Sequence, residues 1–207
     1  MTATAQDAIT SRRSHYQIGP GCALPHETLN SLISMAVKHT PSMFNMQATR
    51  VIILYGEHHR YLWELCEESL PSSTLTMRPN VAFQHFPKVQ DKLEILKNGH
   101  GTILFFEDQD VVQSYQDRYP AYTKSFSTWS LQSAAIAQYA VWVLLAESAP
   151  TLGITLQHYA PDADKVHAKW EIPLNWSMTG QMPFGEITGP PIEKTFVAEE
   201  KLVKVFE

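Results

Sequence analysis

Apolar positions along the chain fall into two patterns, helical stripes and short continuous runs. The clearest stripe lies between residues 26 and 40, where apolar side chains recur at i, i+3, i+4, i+7 and i+8. Its members are Leu29, Leu32, Ile33, Ala36 and Val37. Further helices are predicted at residues 3–12, 57–69, 86–96, 108–119 and 161–170.

Continuous apolar runs predict the strands. Residues 50–55 and 101–107 are mostly apolar, which is typical of strands that are buried on both faces. Shorter strands are predicted at residues 153–159, 176–185 and 203–206. No repeat, low-complexity tract or linker interrupts this order, so we expect a single α+β domain over residues 1–207.

The longest predicted helix spans residues 127–148, with Ser127 as its N-cap. Its apolar residues cover almost the whole circumference of the helix. A helix of this kind lies either in the core of a protein or at an interface between subunits.

Composition and charge exclude several classes of protein. Hydrophobic residues make up 44% and charged residues 18% of the 207, which is typical of a globular chain. The net charge of −5 argues against nucleic acid or an anionic membrane as the main partner. The most apolar run, residues 134–149, is shorter than the about 20 residues of a membrane span. Because residues 1–13 lack the apolar core of a secretion signal, we expect a cytoplasmic protein without membrane insertion.

Arg12, Arg13 and Ser14 stand where the first predicted helix ends. Two guanidinium groups and a hydroxyl can hold a phosphate through charge-assisted hydrogen bonds. The alternative is a solvated basic helix end that complements the helix dipole. The local sequence leaves both interpretations open.

A polar loop separates the helix at 26–40 from the strand at 50–55. Ser42, Asn45 and Gln47 lie there within six residues, beside two large apolar side chains. Hydroxyl and amide groups at this density suit a flat heterocycle with many hydrogen-bonding edges, such as a flavin. The alternative is that these residues only form turns, because Ser and Asn readily bond to their own backbone.

Histidine and cysteine residues form no recognisable metal or nucleophile motif. His158 can titrate near neutrality and act as an acid or a ligand, or it can belong to a hydrogen-bonded aromatic cluster. No His-x-x-x-His or Cys-x-x-Cys spacing is present, so no metal site is expected. Cys22 and Cys66 lie far apart, and the carboxylates of Glu67 and Glu68 argue against a reactive Cys66. Dinucleotide-binding and P-loop glycine motifs are absent as well.

Taken together, the chain resembles the nitroreductase superfamily, and within it the fatty acid repression mutant-type (FRM2-like) branch. The resemblance covers nearly the whole chain in order, from about residue 9 to residue 206. The segments that carry it are residues 11–14, 36–47, 101–109, 137–142, 156–159 and 181–186.

The resemblance implies an α+β sandwich with a central mixed sheet flanked by helices, in an intertwined homodimer that binds FMN between its subunits. One part of the implied cofactor site holds the phosphate: Arg12, Arg13 and Ser14, completed by Lys194 or else Lys201. A second part comes from the partner and lines the flavin ring: Pro41, Ser42, Asn45 and Gln47. A third part offers a backbone N–H to the ring: Leu156, Gln157, His158 and Tyr159.

The implied activity is that of a nitroreductase or quinone reductase with a ping-pong mechanism. NADH or NADPH delivers a hydride to the flavin and leaves, and a nitroaromatic or a quinone then takes the electrons. No side chain is assigned to the chemistry with certainty, and His158 is a weak candidate. The alternative function is that of a non-enzymatic FMN-binding redox regulator linked to lipid or stress signalling.

Overall fold

A computed structural model of the protein describes residues 4–71, 74 and 88–207. In these residues, helices surround one sheet, which confirms the predicted α+β class. The strands are β1 (Ile18–Gly19), β2 (Thr49–Tyr55), β3 (Gly101–Asp108), β4 (Leu152–Ile154) and β5 (Trp176–Ile187). Their order is β1-β5-β3-β2, and β4 also pairs with β5.

Every pairing between these strands is antiparallel, so within the described residues the sheet is antiparallel and not mixed as predicted. Of the strands that follow each other in the chain, β2 pairs with β3 and β4 pairs with β5, whereas the connections from β1 to β2 and from β3 to β4 join strands that are not neighbours. Residues 203–206, predicted as a strand, pair with nothing in the described part of the chain. Their apolar side chains are exposed, and Phe206 is 91% exposed.

The helices cover both faces of the sheet. They are α1 (Ala5–Ser11), α2 (His26–His39), α3 (Gly56–Glu68), α4 (Val89–Lys97), α5 (Gln109–Arg118), α6 (Thr123–Ser148), α7 (Ala163–Lys169) and α8 (Glu199–Leu202). Short 3-10 turns occupy Met43–Asn45 and Pro120–Tyr122. The second of these turns leads directly into α6, so Ser127 lies inside the helix and is not its N-cap.

Strand β3 divides the core in two because successive side chains point to opposite faces. Leu104 and Phe106 pack with Trp63 and other residues of α3 and α4. Ile103 and Phe105 pack on the other side, with α2 and α6. All four side chains of this strand are fully buried, and burial of each contributes about 1.5–3 kcal/mol.

Helix α6 is the most apolar helix of the described residues and is only partly covered. Val141 and Leu145 are buried in the core shared with α2, whereas Leu131, Ile136 and Tyr139 are 43–58% exposed. Together with the preceding turn it is long and apolar enough to cross a membrane, so the length argument made from the sequence fails. One face of α6 nevertheless packs in the core with α2 and the sheet.

A buried polar chain joins α3 to the sheet. The indole of Trp63 donates to the Thr102 hydroxyl over 3.0 Å, and that hydroxyl lies 2.8 Å from Nδ1 of His59. The Lys97 carbonyl can only accept, so Nε2 of His59 carries the proton in their 3.1 Å bond. Burial lowers the pKa of His59 to about 4, so this histidine is a neutral part of the core.

Candidate functional site

Arg12, Arg13 and Ser14 follow directly after α1 and line a cavity of about 580 Å³. The tail of the chain supplies the opposite wall, including Glu193 and Lys194. We call Arg12, Arg13, Ser14 and Lys194 the cradle. Three cations against the single carboxylate of Glu193 make this cavity suitable for an anion such as a phosphate.

The cradle is held together by contacts within one chain. The guanidinium group of Arg13 donates to the carbonyl of Ile192, which ties the start of the chain to its tail. The guanidinium group of Arg12 lies 4.5 Å from the ring centroid of Trp142 on α6, a cation–π contact. Both side chains are therefore positioned before any ligand arrives.

Two buried polar atoms near the cradle lack a hydrogen-bond partner among the described residues. They are Nε1 of Trp142, whose ring carries Arg12, and Nδ1 of His15. Buried polar groups in native proteins nearly always have a partner. An ordered water, a ligand or a second chain can supply it.

The segment of residues 156–159 pairs with β5 through Gln181. The backbones of Gln157 and Gln181 exchange hydrogen bonds of 2.7 and 2.9 Å, and the N–H of Tyr159 donates to the Gln181 side chain over 2.8 Å. Because N–H groups alternate along an extended chain, those of Leu156 and His158 point to the other side. No hydrogen bond between described residues uses these two N–H groups, so the segment presents two donors.

Lys92 on α4 connects this segment with the cradle. Its ammonium group donates to the Gln157 side chain over 2.6 Å and lies 5.3 Å from the ring centroid of Tyr159. It also lies 5.7 Å from the ring centroid of Tyr16, which lines the cradle cavity. Lys92 is only 5% exposed, and burial lowers its pKa to about 8.

Sequence reasoning missed Lys92, although a signal was present. It stands at i+3 from Val89 and directly before Leu93, on the apolar stripe of a predicted helix. A lysine on a buried stripe needs a partner or a function. Periodicity reveals the burial, but it does not tell which residues the ammonium group meets.

Residues 41–47, which we call the amide loop, form a separate feature. Pro41, Ser42 and Gln47 line a small cavity of about 150 Å³ with Thr40 and residues of β2 and α6, whereas Asn45 is exposed. This cavity shares no lining residue with the cradle cavity. Within one chain, the ring-lining residues and the phosphate-holding residues implied by the resemblance therefore lie in different places.

The backbone of the amide loop is strained. Phe44, Asn45 and Gln47 have φ values of 54°, 54° and 51°, in the left-handed region that favours glycine. The N–H of Gln47 donates to the Ser42 hydroxyl over 2.9 Å, and the N–H of Met43 donates to the Ser133 hydroxyl over 3.3 Å. Ser42 does form a turn, as the alternative interpretation predicted, and such strain is characteristic of functional sites.

A buried carboxylate supports the end of the amide loop. Glu107 is 1% exposed and accepts hydrogen bonds from the hydroxyls of Thr49, at 2.5 Å, and Ser130. Burial raises the pKa of Glu107, against the effect of these two donors. Beside it, Arg50 forms a 3.0 Å ion pair with Asp108 and so fixes the start of β2.

Aromatic side chains surround the amide loop. The ring of Phe44 lies 4.9–6.1 Å, between centroids, from Tyr119, Tyr122, Phe126 and Trp129. Phe126 is fully buried and belongs to the core, whereas Phe44 and Tyr122 are 43% and 48% exposed. Phe83 and Phe86, two aromatic residues that precede α4 in the sequence, lie outside the described residues.

The remaining candidates are placed as follows. Lys194 lines the cradle cavity, whereas Lys201 lies exposed on α8 and outside the lining, so the choice of Lys194 over Lys201 stays a prediction. The side chain of His158 is exposed. Cys66 is buried, and burial raises its pKa to about 12, which is unsuitable for a nucleophile. Among the described residues, no group of three or more His, Cys, Asp or Glu side chains is arranged to hold a metal.

Comparison with known proteins places this geometry in a family. Residues 9–186 match the model of the nitroreductase family. The chain belongs to the nitroreductase family. HBN1 of Saccharomyces cerevisiae is 32% identical to this nitroreductase-family chain. The match covers 99% of this chain and 97% of HBN1. The nitroreductase FRM2 of the same yeast is 28% identical over 92% of each chain, which confirms the resemblance to the FRM2-like branch.

Solved structures agree with the fold of this nitroreductase-family chain. CinD from Lactococcus lactis, solved with chloramphenicol, has a TM-score of 0.85 and 33% identity, covering 99% of this chain and 100% of that one. The same protein was solved with 4-nitrophenol, with a TM-score of 0.84. A nitroreductase-type protein from Exiguobacterium sibiricum, solved with FMN, has a TM-score of 0.67, 10% identity and coverage of 100% and 99%, and shows a common fold.

Proposed function

We propose that this protein is an FMN-dependent NAD(P)H oxidoreductase that reduces nitroaromatics or quinones, and that it works as a homodimer. Family membership supports an oxidoreductase. CinD, at 33% identity, was solved with 4-nitrophenol, and a more distant protein of the same fold was solved with FMN. We further propose one domain over residues 1–207 and a cytoplasmic location.

The observation that carries this proposal is the continuous path from the cradle to the segment of residues 156–159. The cradle offers three cations in a cavity of about 580 Å³, which suits a phosphate on a short polyol chain. Tyr16 and Lys92 lead from that cavity to Gln157 and Tyr159. The residues present therefore fit an FMN whose phosphate lies at the cradle and whose ring lies toward Lys92.

The amide loop fits the ring only if it comes from a second copy of the chain. In one chain its cavity and the cradle cavity have no residue in common. The exposed apolar residues of α6 and of the tail would be covered by the same association. These features support a homodimer in which each site draws its cradle from one subunit and its amide loop from the other.

When bound, FMN supplies the hydride and electron transfer. Arg12, Arg13 and Lys194 bind and orient it through its phosphate. The Lys92 ammonium group favours negative charge on the nearby ring, and the N–H groups of Leu156 and His158 are donors for its edge. We assign His158 a role through its backbone, because its exposed side chain makes no hydrogen bond with the described residues.

The substrate surface follows from the same arrangement. Phe44 and Tyr122 present exposed aromatic faces beside the amide loop. Stacking between flat aromatic groups favours planar electrophiles over bulky aliphatic ones. Nitroaromatics and quinones are planar, so both classes suit this surface.

Arg12→Ala tests the proposal most directly. Loss of a charge-assisted contact with the phosphate removes about 1.5–3 kcal/mol, so FMN affinity should fall roughly 10- to 100-fold. Riboflavin lacks the phosphate, and its affinity should not change. Flavin fluorescence titration measures both. Arg60→Ala, an exposed change on α3, is the matched control.

Undiminished FMN affinity in Arg12→Ala contradicts the phosphate role of the cradle. Turnover is a separate measurement: NADH consumption with 4-nitrophenol or menadione supports the enzyme. A protein that binds FMN but does not turn over either acceptor is the non-enzymatic redox regulator instead.

A further inference from the structure

One buried side chain of β5, the amide of Gln181, lies where the pairing of residues 152–159 with this strand stops. Gln181 is 1% exposed. The pairing is regular as far as Gln157, whose backbone exchanges two hydrogen bonds with that of Gln181. An antiparallel ladder repeats such a pair at every second residue, so Tyr159 would pair next with Thr179. Among the described residues, no hydrogen bond joins the backbones of Tyr159 and Thr179.

A β-bulge in β5 explains why the ladder ends early. Gly180 and Met178 are the partners of successive residues of β3, so Thr179 is an extra residue between them. The carbonyl of Thr179 accepts from the Gln138 side chain of α6 over 3.4 Å. The backbone groups of Tyr159 that face β5 therefore need another partner.

The side chain of Gln181 replaces the missing backbone partner. Its Oε1 accepts from the N–H of Tyr159 over 2.8 Å, and its Nε2 donates to the carbonyl of Tyr159 over 2.9 Å. These two bonds fix the orientation of the amide, because the N–H requires an acceptor and the carbonyl requires a donor. The sulfur of Met178 lies on the same Nε2. Both polar atoms of this buried amide are thus used within the protein.

Together, the backbone and side chain of Gln181 hold four consecutive peptide groups. These are the groups that contain the N–H and C=O of Gln157 and the N–H and C=O of Tyr159, between residues 156 and 160. The N–H of His158 belongs to the second of the four. It keeps its direction, away from β5, because the peptide groups on both sides of it are held.

The same contacts fix the surroundings of Lys92. The ring of Tyr159 meets that of Trp63 edge to face, with centroids 5.7 Å apart, and lies 5.3 Å from the Lys92 ammonium group. The side chain of Gln157 accepts from the same ammonium group. Movement of this segment would displace both the N–H donors and the cation that the ring is proposed to meet.

We propose that Gln181 is a positioning residue for the flavin ring, which holds the backbone of Tyr159 and thereby directs the N–H of His158 at the edge of the ring. This inference rests on the proposed function and adds the residue that sets the geometry of that edge. Gln181 acts through His158, because its own amide is already occupied by Tyr159. A donor that is held in place before the ring arrives binds it without a further ordering cost.

Amide hydrogen exchange in the purified, full-length protein, followed by NMR, tests the contact without flavin. In the wild type, the N–H of Tyr159 should exchange slowly and that of His158 rapidly. Gln181→Met keeps the length of the side chain but removes the amide, so exchange at Tyr159 should become at least about tenfold faster. Gln138→Met is the matched control, because it removes a buried amide that bonds to Thr179 and should leave Tyr159 protected.

Riboflavin tests the positioning, because it carries the ring without the phosphate. Gln181→Met should lower the affinities for riboflavin and FMN by the same factor, roughly 2- to 10-fold for the loss of one hydrogen bond. Gln138→Met should lower neither affinity, and Arg12→Ala should lower that for FMN alone. In the wild type, FMN should slow exchange of the His158 N–H, a result that requires no variant.

Three results would overturn the proposal. Equal exchange at Tyr159 in the wild type and Gln181→Met would show that the amide does not hold this backbone. Faster exchange with unchanged affinity for both flavins would show that Gln181 only stabilises the segment. FMN that binds without slowing exchange at His158 would show that this N–H does not meet the ring. A wild type that binds no FMN refutes the proposed function, and with it the role at the ring, whereas exchange at Tyr159 still decides whether Gln181 holds the segment.

Discussion

The cradle and the amide loop contrast in almost every physical respect. The cradle is cationic, lies in a large cavity and is tied together across the whole length of one chain by the bond from Arg13 to Ile192. The amide loop is uncharged, lines a cavity about a quarter as large and holds three non-glycine residues at positive φ. The fold of one chain assembles the cradle, whereas most residues of the amide loop are exposed at the surface.

This difference suggests that the cradle binds the phosphate of the cofactor and the amide loop its ring. Charged groups bind a phosphate tightly wherever the fold brings them together. In the proposed homodimer, the strained loop of the second subunit would bring ring-lining groups close to the flat ring only after association. We therefore expect binding of the phosphate and seating of the ring to be separable by mutation.

Mixed dimers give the largest expected effect. We expect neither Arg12→Ala nor the Asn45→Ala/Gln47→Ala double variant to retain FMN as a homodimer. When the two are co-expressed, each mixed dimer regains one intact site, and its flavin content should rise to on the order of half that of wild type. Differently tagged subunits, tandem purification and flavin absorbance measure this.

The mixed dimer also distinguishes the alternative arrangement. If the cradle and the amide loop of the same subunit form one site, both sites of a mixed dimer carry a defect. A mixed dimer no more yellow than its parents would rule out the divided site. Co-expression of two copies of Arg12→Ala with different tags is the control for tagging.

Lys92→Met examines the link between the cradle and the ring. The native pKa of about 8 lies below the ordinary 10.5, so burying the charged amine costs about 3 kcal/mol below pH 8, and this cost disappears as the pH rises toward 10.5. Lys92→Met should therefore stabilise the flavin-free protein at pH 7. FMN affinity should fall roughly 10- to 100-fold, because the cation is lost.

The pH dependence provides a second readout of Lys92. Wild-type affinity for FMN should decline as the pH rises through about 8, since Lys92 then loses its charge. The decline should be absent in Lys92→Met. An equal decline in both proteins would show that Lys92 does not face the flavin, and Lys88→Met on the exposed start of α4 controls for a general loss of positive charge.

Glu107→Gln tests the foundation of the amide loop. Burial raises the native pKa of Glu107 above its ordinary value, so ionisation of this carboxyl costs stability as the pH rises through the native pKa. The amide of the glutamine cannot ionise. Above pH 4.5, the free energy of unfolding should therefore decrease less in the variant than in the wild type. Urea unfolding across pH measures it, with exposed Asp110→Asn as the control. A wild-type profile unchanged by the substitution would contradict the prediction.

Gln47→Gly should give the smallest effect. Glycine adopts φ near 51° without strain, so the free energy of unfolding of the flavin-free protein should rise by about 1 kcal/mol. Glu171→Gly is the matched control, because Glu171 has φ 52° and lies outside both regions. Both variants should be stabilised, but only Gln47→Gly should weaken FMN binding. Equal flavin affinity in both variants would show that Gln47 does not contact the flavin ring.

Parts of both regions were predictable because their signals are local. The pair Arg12-Arg13 at the end of a helical segment was compatible with a phosphate site, and the cluster of Ser42, Asn45 and Gln47 indicated a polar loop. The buried strand β3 was readable because an apolar run needs cover on both faces. The start of α6 was misplaced, because Ser127 was taken as its N-cap, whereas the turn that begins at Pro120 leads into the helix at Thr123.

The sequence by itself determined the helices, the buried strands, the class of fold and the residue types available for a phosphate, because these follow from side-chain periodicity and local chemistry. Only the tertiary structure decided that the sheet of the described residues is antiparallel, that Lys92 lies between the cradle and Gln157, and that Arg13 meets Ile192. Such contacts depend on strand pairing and packing between residues as much as 179 positions apart. No short-range spacing encodes them, so they become visible only when the chain is folded.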